Sequence, residues 1–96
     1  MIRVIAKQYV DERKMDAYLA VVKELIEKTR AMDKGCISYT LCQDIKKANI
    51  MTFIEEWESM EALNNHMQTE HFKTLGAKLS DFYEARTELN IYKEYI

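Results

Sequence analysis

Apolar and polar side chains recur along the chain with two periods, and these periods predict its secondary structure. Alternation of period two, the spacing of a strand, occurs in residues 2–10, 36–43, 50–58 and 85–95. Residues 12–32 instead repeat apolar side chains every three or four positions, with charged side chains on the opposite side. They predict an amphipathic helix of about 30 Å, with Asp11 as its N-cap.

The period changes again after the third predicted strand. Ser59 can cap a helix because its hydroxyl accepts from a backbone N–H that lacks a partner, and Thr69 can cap a second helical segment in the same way. Gly76 interrupts the second segment at some cost in helix propensity. Gly35 follows the first helix, where the positive φ that glycine tolerates is often needed.

The resulting order is β-α-β-β-α-β, which predicts an α+β, ferredoxin-like domain spanning residues 1–96. The usual connection rules give an antiparallel sheet with the helices on one face. Because the strands carry apolar side chains on both faces, something has to cover the second face. We predict a homodimer; the alternative is a monomer with scattered exposed apolar side chains.

Composition narrows the classes of function. With 96 residues there is room for one core, and a net charge of −2 argues against nucleic acid and anionic membranes as partners. No segment has the length and hydrophobicity of a membrane span. Cys36 and Cys42 lie about 20 Å apart on one predicted strand and cannot form a disulfide with each other. Free thiols are typical of a reducing compartment, so we predict that the protein is cytoplasmic. Two glycines provide no phosphate-binding loop.

The densest group of chemically useful side chains lies between Phe53 and Phe72. It fits the pattern E-x-W-x-S-x-x-A-L-x-x-H-x-x-T-x-H-F, formed by Glu55, Trp57, Ser59, Ala62, Leu63, His66, Thr69, His71 and Phe72. This pattern resembles the antibiotic biosynthesis monooxygenase family, and Gly35-Cys36 followed by Tyr39 is similar to that family's second strand. The chain departs from the family at Glu70, where relatives often have proline. A carboxylate in the first turn suits the helix dipole, so we expect the helix to form.

The resemblance implies small ferredoxin-like domains that pair into dimeric α/β barrels. The family's reactions include oxygenation of quinols and anthrones, haem degradation and isomerisation of a signal molecule. Relatives that degrade haem resemble this chain with tryptophan where His66 stands and histidine where Gly76 stands. Glycine cannot ligate iron, so haem degradation is the least favoured of these reactions.

His66 is the first candidate for catalysis. Its spacing from Leu63 places it on the buried side of a helix, where an imidazole could take a proton from a phenolic or enolic substrate. The alternative is a core histidine that is hydrogen-bonded to Glu55 for structural reasons. His71, the second catalytic candidate, could as easily cap or pack against the neighbouring segment.

Side chains on the strands would complete the pocket. Phe53, Glu55 and Trp57 share one face of the third strand, where the aromatic rings would form a flat wall for a substrate ring. The alternative, which is favoured for Phe53, is that these rings are ordinary core aromatics. A buried Glu55 needs a partner, and it could orient His66 or hold a substrate hydroxyl. Tyr39 could add its hydroxyl, although a packed core tyrosine is an alternative. Phe72 would contribute from the second helical segment.

The mechanism that the resemblance implies uses dioxygen and a small substrate without flavin, haem or metal. A deprotonated quinol or anthrone gives up an electron to dioxygen, so the protein needs only a base and a dry pocket. Two histidines five residues apart across a helix break do not form a zinc site, and we predict no metal. The alternatives are an isomerase of a small oxygenated metabolite and a non-catalytic small-molecule binder.

Overall fold

The computed structural model describes residues 1–96 and contains the predicted elements in the predicted order. They are β1 (Ile2–Tyr9), α1 (Met15–Met32), β2 (Cys36–Gln43), β3 (Ile50–Trp57), α2 (Met60–Gln68), α3 (Glu70–Leu79) and β4 (Glu88–Lys93). Short 3-10 turns precede α1 at Glu12–Lys14 and follow α3 at Ser80–Phe82. No helix combines the length and the apolar character needed to cross a bilayer.

The four strands form one sheet in the order β2-β3-β1-β4, and every neighbouring pair is antiparallel. The ferredoxin-like α+β prediction is therefore confirmed. Strand β1 lies inside the sheet, where Val4 faces Glu55 and Ala6 faces Phe53 across the ladder to β3. On the other side, Ala6 faces Leu89 of β4. Side chains from β1, β3 and β4 thus meet above the middle of the sheet.

Several predicted boundaries are wrong, among them the end of β3, which lies at Trp57 rather than at residue 58. Residues 12–14 form a 3-10 turn rather than the start of α1, because the Asp11 side chain accepts from the Arg13 backbone N–H and caps that turn. Strand β1 ends before Val10, which makes an isolated bridge to Tyr83. Strand β4 is shorter than the predicted 85–95, since its pairing with β1 begins at Glu88 and ends at Lys93.

The break between α2 and α3 follows from the two predicted caps, and both are confirmed. The Ser59 hydroxyl accepts from the Ala62 N–H at 3.1 Å, and the Thr69 hydroxyl accepts from the Phe72 N–H at 3.2 Å. Thr69 has an extended backbone that ends α2, and Glu70 lies in the first turn of α3 as expected. His66 is consequently in the last turn of one helix and His71 in the first turn of the next.

The turn after α1 depends on Gly35, which has a φ of 86°. A Cβ at this position would lie 2.5 Å from the Cβ of Ala62 in α2, far inside van der Waals contact. Glycine is therefore required both for the left-handed backbone and for the close approach to α2. This approach brings Asp33, the C-cap residue of α1, beneath α2 and α3.

The helices cover only one face of the sheet. Buried side chains from α1, α2 and α3 pack on the inward residues of β1 and β3. The opposite face carries Ile54 and Tyr92, which are 41% and 52% exposed, beside Arg3 in ion pairs with Glu56 and Glu94. Apolar surface therefore remains uncovered on the second face in the single chain.

Candidate functional site

A cavity of about 220 Å³ lies between the helices and the sheet. Its walls are largely apolar, with Val4 and Ala6 of β1 beneath it. Leu89 and Ile91 of β4 also line it, yet they remain 56% and 43% exposed, so the cavity opens beside the edge strand. Polar side chains reach it from several elements: Gln8, Tyr39, Glu55, His66, Tyr83 and Thr87.

The imidazole of His66 is packed among aromatic rings at one end of this cavity. The centroid of its ring lies 4.6 Å from that of Trp57, 4.8 Å from that of Phe72 and 5.2 Å from that of Tyr39. The residue is only 2% exposed, and no group in the protein hydrogen-bonds to its Nε2. An unpaired buried nitrogen is costly, so it marks a position where a ligand would find a partner.

The other nitrogen of His66, Nδ1, makes a short hydrogen bond with Oδ2 of Asp33. The second oxygen of the same carboxylate lies 2.9 Å from Nε2 of His71. All three side chains are almost fully buried. One carboxylate thus holds two imidazoles, which places Asp33 at the centre of the site.

The expectation that Glu55 would pair with His66 is wrong. The Glu55 carboxylate instead accepts from Nε1–H of Trp57 at 2.9 Å. Asp33 was missed because it lies far from the motif in sequence, at the end of α1. Gly35 is the signal that could have identified Asp33. Its close approach to α2 also brings Asp33, two residues earlier in the chain, next to that helix.

The tautomer of His66 follows from its partner. A carboxylate only accepts hydrogen bonds, so Nδ1 carries the proton when the ring is neutral and Nε2 keeps a lone pair. Burial lowers the pKa of His66, an effect that the Asp33 charge opposes and the nearby His71 reinforces. A neutral ring can therefore accept a proton at Nε2.

Glu55 lines the same cavity. Burial raises the pKa of Glu55 to about 7, although the bond from Trp57 partly counteracts the effect. At neutral pH this carboxyl group can either donate or accept a proton.

Tyr39 faces Glu55 across the β2–β3 ladder and also contributes to the cavity wall. Burial first, and then the charge of Glu55, raises its pKa well above the ordinary value. The Tyr39 hydroxyl therefore stays protonated and can act as a hydrogen-bond donor but not as a base. Arg30 fixes the strand here by donating to the Tyr39 carbonyl at 2.8 Å.

Five of the seven predicted site residues line the cavity: Tyr39, Phe53, Glu55, His66 and Phe72. The other two lie outside it. Trp57 is completely buried behind Glu55 and His66, and His71 faces a surface groove between α1 and α3. Trp57 therefore supports the site rather than forming the predicted wall. Nothing in the sequence indicated that Gln8 and Tyr83 reach the cavity.

Asp33, His66 and His71 also form the group most suited to a metal ion, because one ligand atom from each lies within 4.8 Å of the others. Two imidazoles and a carboxylate are suitable ligands for several transition metals. Here the same atoms are hydrogen-bonded to one another. The prediction of no metal considered the histidines alone and stays a prediction.

Fold and site together describe a class of small ferredoxin-like domains with a buried imidazole beside a largely apolar cavity. Residues 1–78 match the sequence pattern of the family described as antibiotic biosynthesis monooxygenase. The chain belongs to this family, which confirms the resemblance noted in the sequence.

Three relatives illustrate the similarity. The structure of a conserved protein from Methanosarcina mazei Go1 is 36% identical, with a TM-score of 0.94 over 98% of this chain and 92% of its own. A structure named antibiotic biosynthesis monooxygenase is 31% identical, with a TM-score of 0.93 over 100% of both chains. The uncharacterized protein sll1783 of Synechocystis sp. is 34% identical over 83% of this chain. The chain spans about half (54%) the length of this last relative.

Proposed function

We propose that the protein is a monooxygenase that oxidises a small hydroxylated aromatic compound, of the quinol type, with dioxygen and without a cofactor. The observation that carries the proposal is Nε2 of His66, a buried nitrogen without a hydrogen-bond partner on a residue that lines an apolar cavity. Membership of the family and the 31% identical structure named as a monooxygenase support it.

His66 is the proposed general base. Its lone pair at Nε2 accepts the proton of the substrate hydroxyl, and the resulting imidazolium is stabilised by the Asp33 carboxylate at Nδ1. His71 donates to the same carboxylate, keeps it in place and limits the negative charge available to His66. We therefore assign His66 a catalytic role and give Asp33 and His71 positioning roles.

The substrate supplies all the electrons that the reaction needs. The quinolate passes one electron to dioxygen, and the two radicals recombine to form a carbon–oxygen bond. Cleavage of the O–O bond leaves one oxygen atom on the ring, while the other leaves as water. The two electrons and two protons for that water come from oxidation of the quinol to the quinone. The largely apolar walls offer few hydrogen-bond partners to water, which favours the anion and the radicals over their quenching by solvent.

The cavity limits the size of the substrate. A dry cavity of about 150 Å³ is sufficient for benzene, and the cavity here is about 220 Å³. A single substituted ring or a compact bicyclic compound fits this volume. We therefore favour quinols over tricyclic anthrones.

The assembly that we propose is a homodimer in which a partner subunit covers the second face of the sheet. Ile54 and Tyr92 on that face are exposed in the single chain. A chain of 96 residues buries only about 60 to 65% of its unfolded surface, so pairing would add substantial apolar burial.

One observation favours a second function, isomerisation of a small oxygenated metabolite. Glu55 and His66 line one cavity, and the Glu55 pKa of about 7 lies in the range of an acid–base catalyst. Such a pair could move a proton between adjacent carbon and oxygen atoms without dioxygen. The two functions therefore differ in their need for oxygen.

The proposal is tested by incubating the protein with a panel of one-ring and two-ring quinols under isotopically labelled dioxygen. We expect oxygen uptake above autoxidation and a product that contains one labelled oxygen atom. Conversion of a hydroxyketone under nitrogen, without any uptake of oxygen by the quinols, would instead support the isomerase. Tight binding of a compound without turnover would identify the protein as a binder.

A further inference from the structure

The far end of the cavity contains a second group of polar side chains. Gln8 of β1 is buried, and its Oε1 accepts a hydrogen bond from the Tyr18 hydroxyl at 2.5 Å. Tyr83 and Thr87, from the segment before β4, line the cavity at the same end. None of these residues belongs to the motif around His66.

This end mainly offers hydrogen-bond donors. The Gln8 oxygen already accepts from Tyr18, which leaves the two amide N–H groups. Gln8 and Thr87 lie close enough to the Tyr83 hydroxyl to favour its ionised form, but burial outweighs them and raises the pKa of Tyr83 to about 12. Tyr83 thus keeps its proton at neutral pH. At most one of the two Gln8 N–H groups can donate to the Tyr83 hydroxyl. The other N–H group is therefore available as a donor to a ligand.

The register of the sheet separates this group from His66. Val4 pairs with Glu55, which is at the His66 end, while Gln8 is four residues further along β1. At about 3.3 Å per residue, the backbone positions of Val4 and Gln8 are separated along β1 by a distance on the order of 13 Å. The small side chain of Ala6 lies between the two ends and leaves room above the sheet.

The two ends have opposite hydrogen-bonding character. The neutral ring of His66 presents an acceptor at Nε2, whereas Gln8 and Tyr83 present donors. A ligand that spans the two ends therefore needs a hydroxyl group at one end and an acceptor oxygen at the other. An aromatic ring with oxygen-bearing substituents at opposite positions meets this requirement.

We infer that Gln8 and Tyr83 form a second binding subsite, and that the ligand is a flat ring with a hydroxyl group at the His66 end and a carbonyl or hydroxyl oxygen at the opposite end. The inference rests on the proposed function for the orientation of the ligand, since it is the hydroxyl at His66 that loses its proton. It makes Gln8 and Tyr83 the residues that select para-dioxygenated rings over rings with one oxygen.

Two phenols of nearly equal shape test the inference. Para-hydroxyacetophenone has a carbonyl group where para-isopropylphenol has a methyl-bearing carbon, and neither needs to react for binding to be measured. Isothermal titration calorimetry with the wild-type protein should show about tenfold tighter binding of the acetophenone, the value of one hydrogen bond. Equal affinities, or no binding of either phenol, would overturn the inference.

Variants of Gln8 and Tyr83 test whether these two residues cause the difference in affinity between the two phenols. Tyr83→Phe removes one hydroxyl, and Gln8→Leu removes the amide; in each variant we expect the affinity ratio to fall toward one while binding of para-isopropylphenol is retained. Gln8→Leu also leaves the Tyr18 hydroxyl without its acceptor, so its folding is checked by thermal unfolding and Tyr83→Phe provides the independent test. A ratio that stays near ten in folded Tyr83→Phe and Gln8→Leu would overturn the inference. Because no oxygen is consumed, this outcome is independent of whether the protein is a monooxygenase.

Discussion

Two buried carboxylates are found around the cavity, and they are held in different ways. Asp33 lies between two imidazoles and hydrogen-bonds with both. Glu55 has one donor, the indole of Trp57, and faces an apolar cavity. The first carboxylate can compensate a positive charge on His66, whereas the second has its pKa raised to about 7 by burial. The hydrogen-bond partners of a buried carboxylate, and not its burial alone, therefore determine its chemical role.

The largest effect on stability is expected from Asp33→Asn. The variant replaces a carboxylate that is hydrogen-bonded to two buried imidazoles. Because each hydrogen bond to a charged acceptor contributes about 2 kcal/mol, we expect a loss of about 4 kcal/mol of unfolding free energy. Urea denaturation at neutral pH measures the change. Asp16→Asn, an exposed carboxylate in the first turn of α1, is the matched control and should change stability by about 0.5 kcal/mol or less. Equal losses in the two variants would show that Asp33 has no special role.

A smaller effect is expected from Glu55→Gln, and it depends on pH. The pKa of Glu55 is about 7 in the folded protein, against 4.5 for a glutamate free in solution, so the folded state binds the extra proton between these values. Stability from this group is fully present below pH 4.5 and is lost as pH rises through 7. The wild type should thus lose roughly 3 kcal/mol over this window, and Glu55→Gln should lose less.

Denaturation curves at a series of pH values measure this difference. Glu56→Gln is a suitable control, because Glu56 is the neighbouring carboxylate on the other face of β3. Parallel pH profiles for the wild type and Glu55→Gln would contradict the raised pKa of Glu55.

The third variant, Trp57→Phe, removes the only hydrogen-bond donor to Glu55 and keeps an aromatic ring. We expect a loss of about 1 to 2 kcal/mol in unfolding free energy and an upward shift in the pH at which Glu55 titrates, since the Trp57 bond lowers its pKa. The shift is read from the same stability profiles. A midpoint that does not move would mean that the indole N–H has little influence on Glu55.

The sequence predicted most of the fold because its signals are local. Period-two and helical patterns identified every strand and α-helix, and the hydroxyls of Ser59 and Thr69 marked the starts of α2 and α3. Element ends were less predictable. They depend on pairing partners, as at Val10, which bridges to Tyr83 instead of continuing β1.

The site was only partly predictable from the sequence. His66 and Glu55 were identified from the spacing within one motif, and both line the cavity. Asp33, the partner of His66, and Gln8, at the other end of the cavity, were not identified, because the turn at Gly35 and the register of β1 bring them there. Spacing within a motif says which face a side chain occupies, but it does not say which distant residue meets it.

His66, and not His71, is the proposed general base. The most direct measurement is oxygen uptake with a quinol substrate by the wild type, His66→Asn and His71→Asn, after subtraction of autoxidation. Loss of a general base typically costs about 10²- to 10⁴-fold, so we predict a loss in this range for His66→Asn. We predict a loss of less than about tenfold for His71→Asn, which keeps the bond between Asp33 and His66. Full turnover by folded His66→Asn, or equal losses in both variants, would contradict the account.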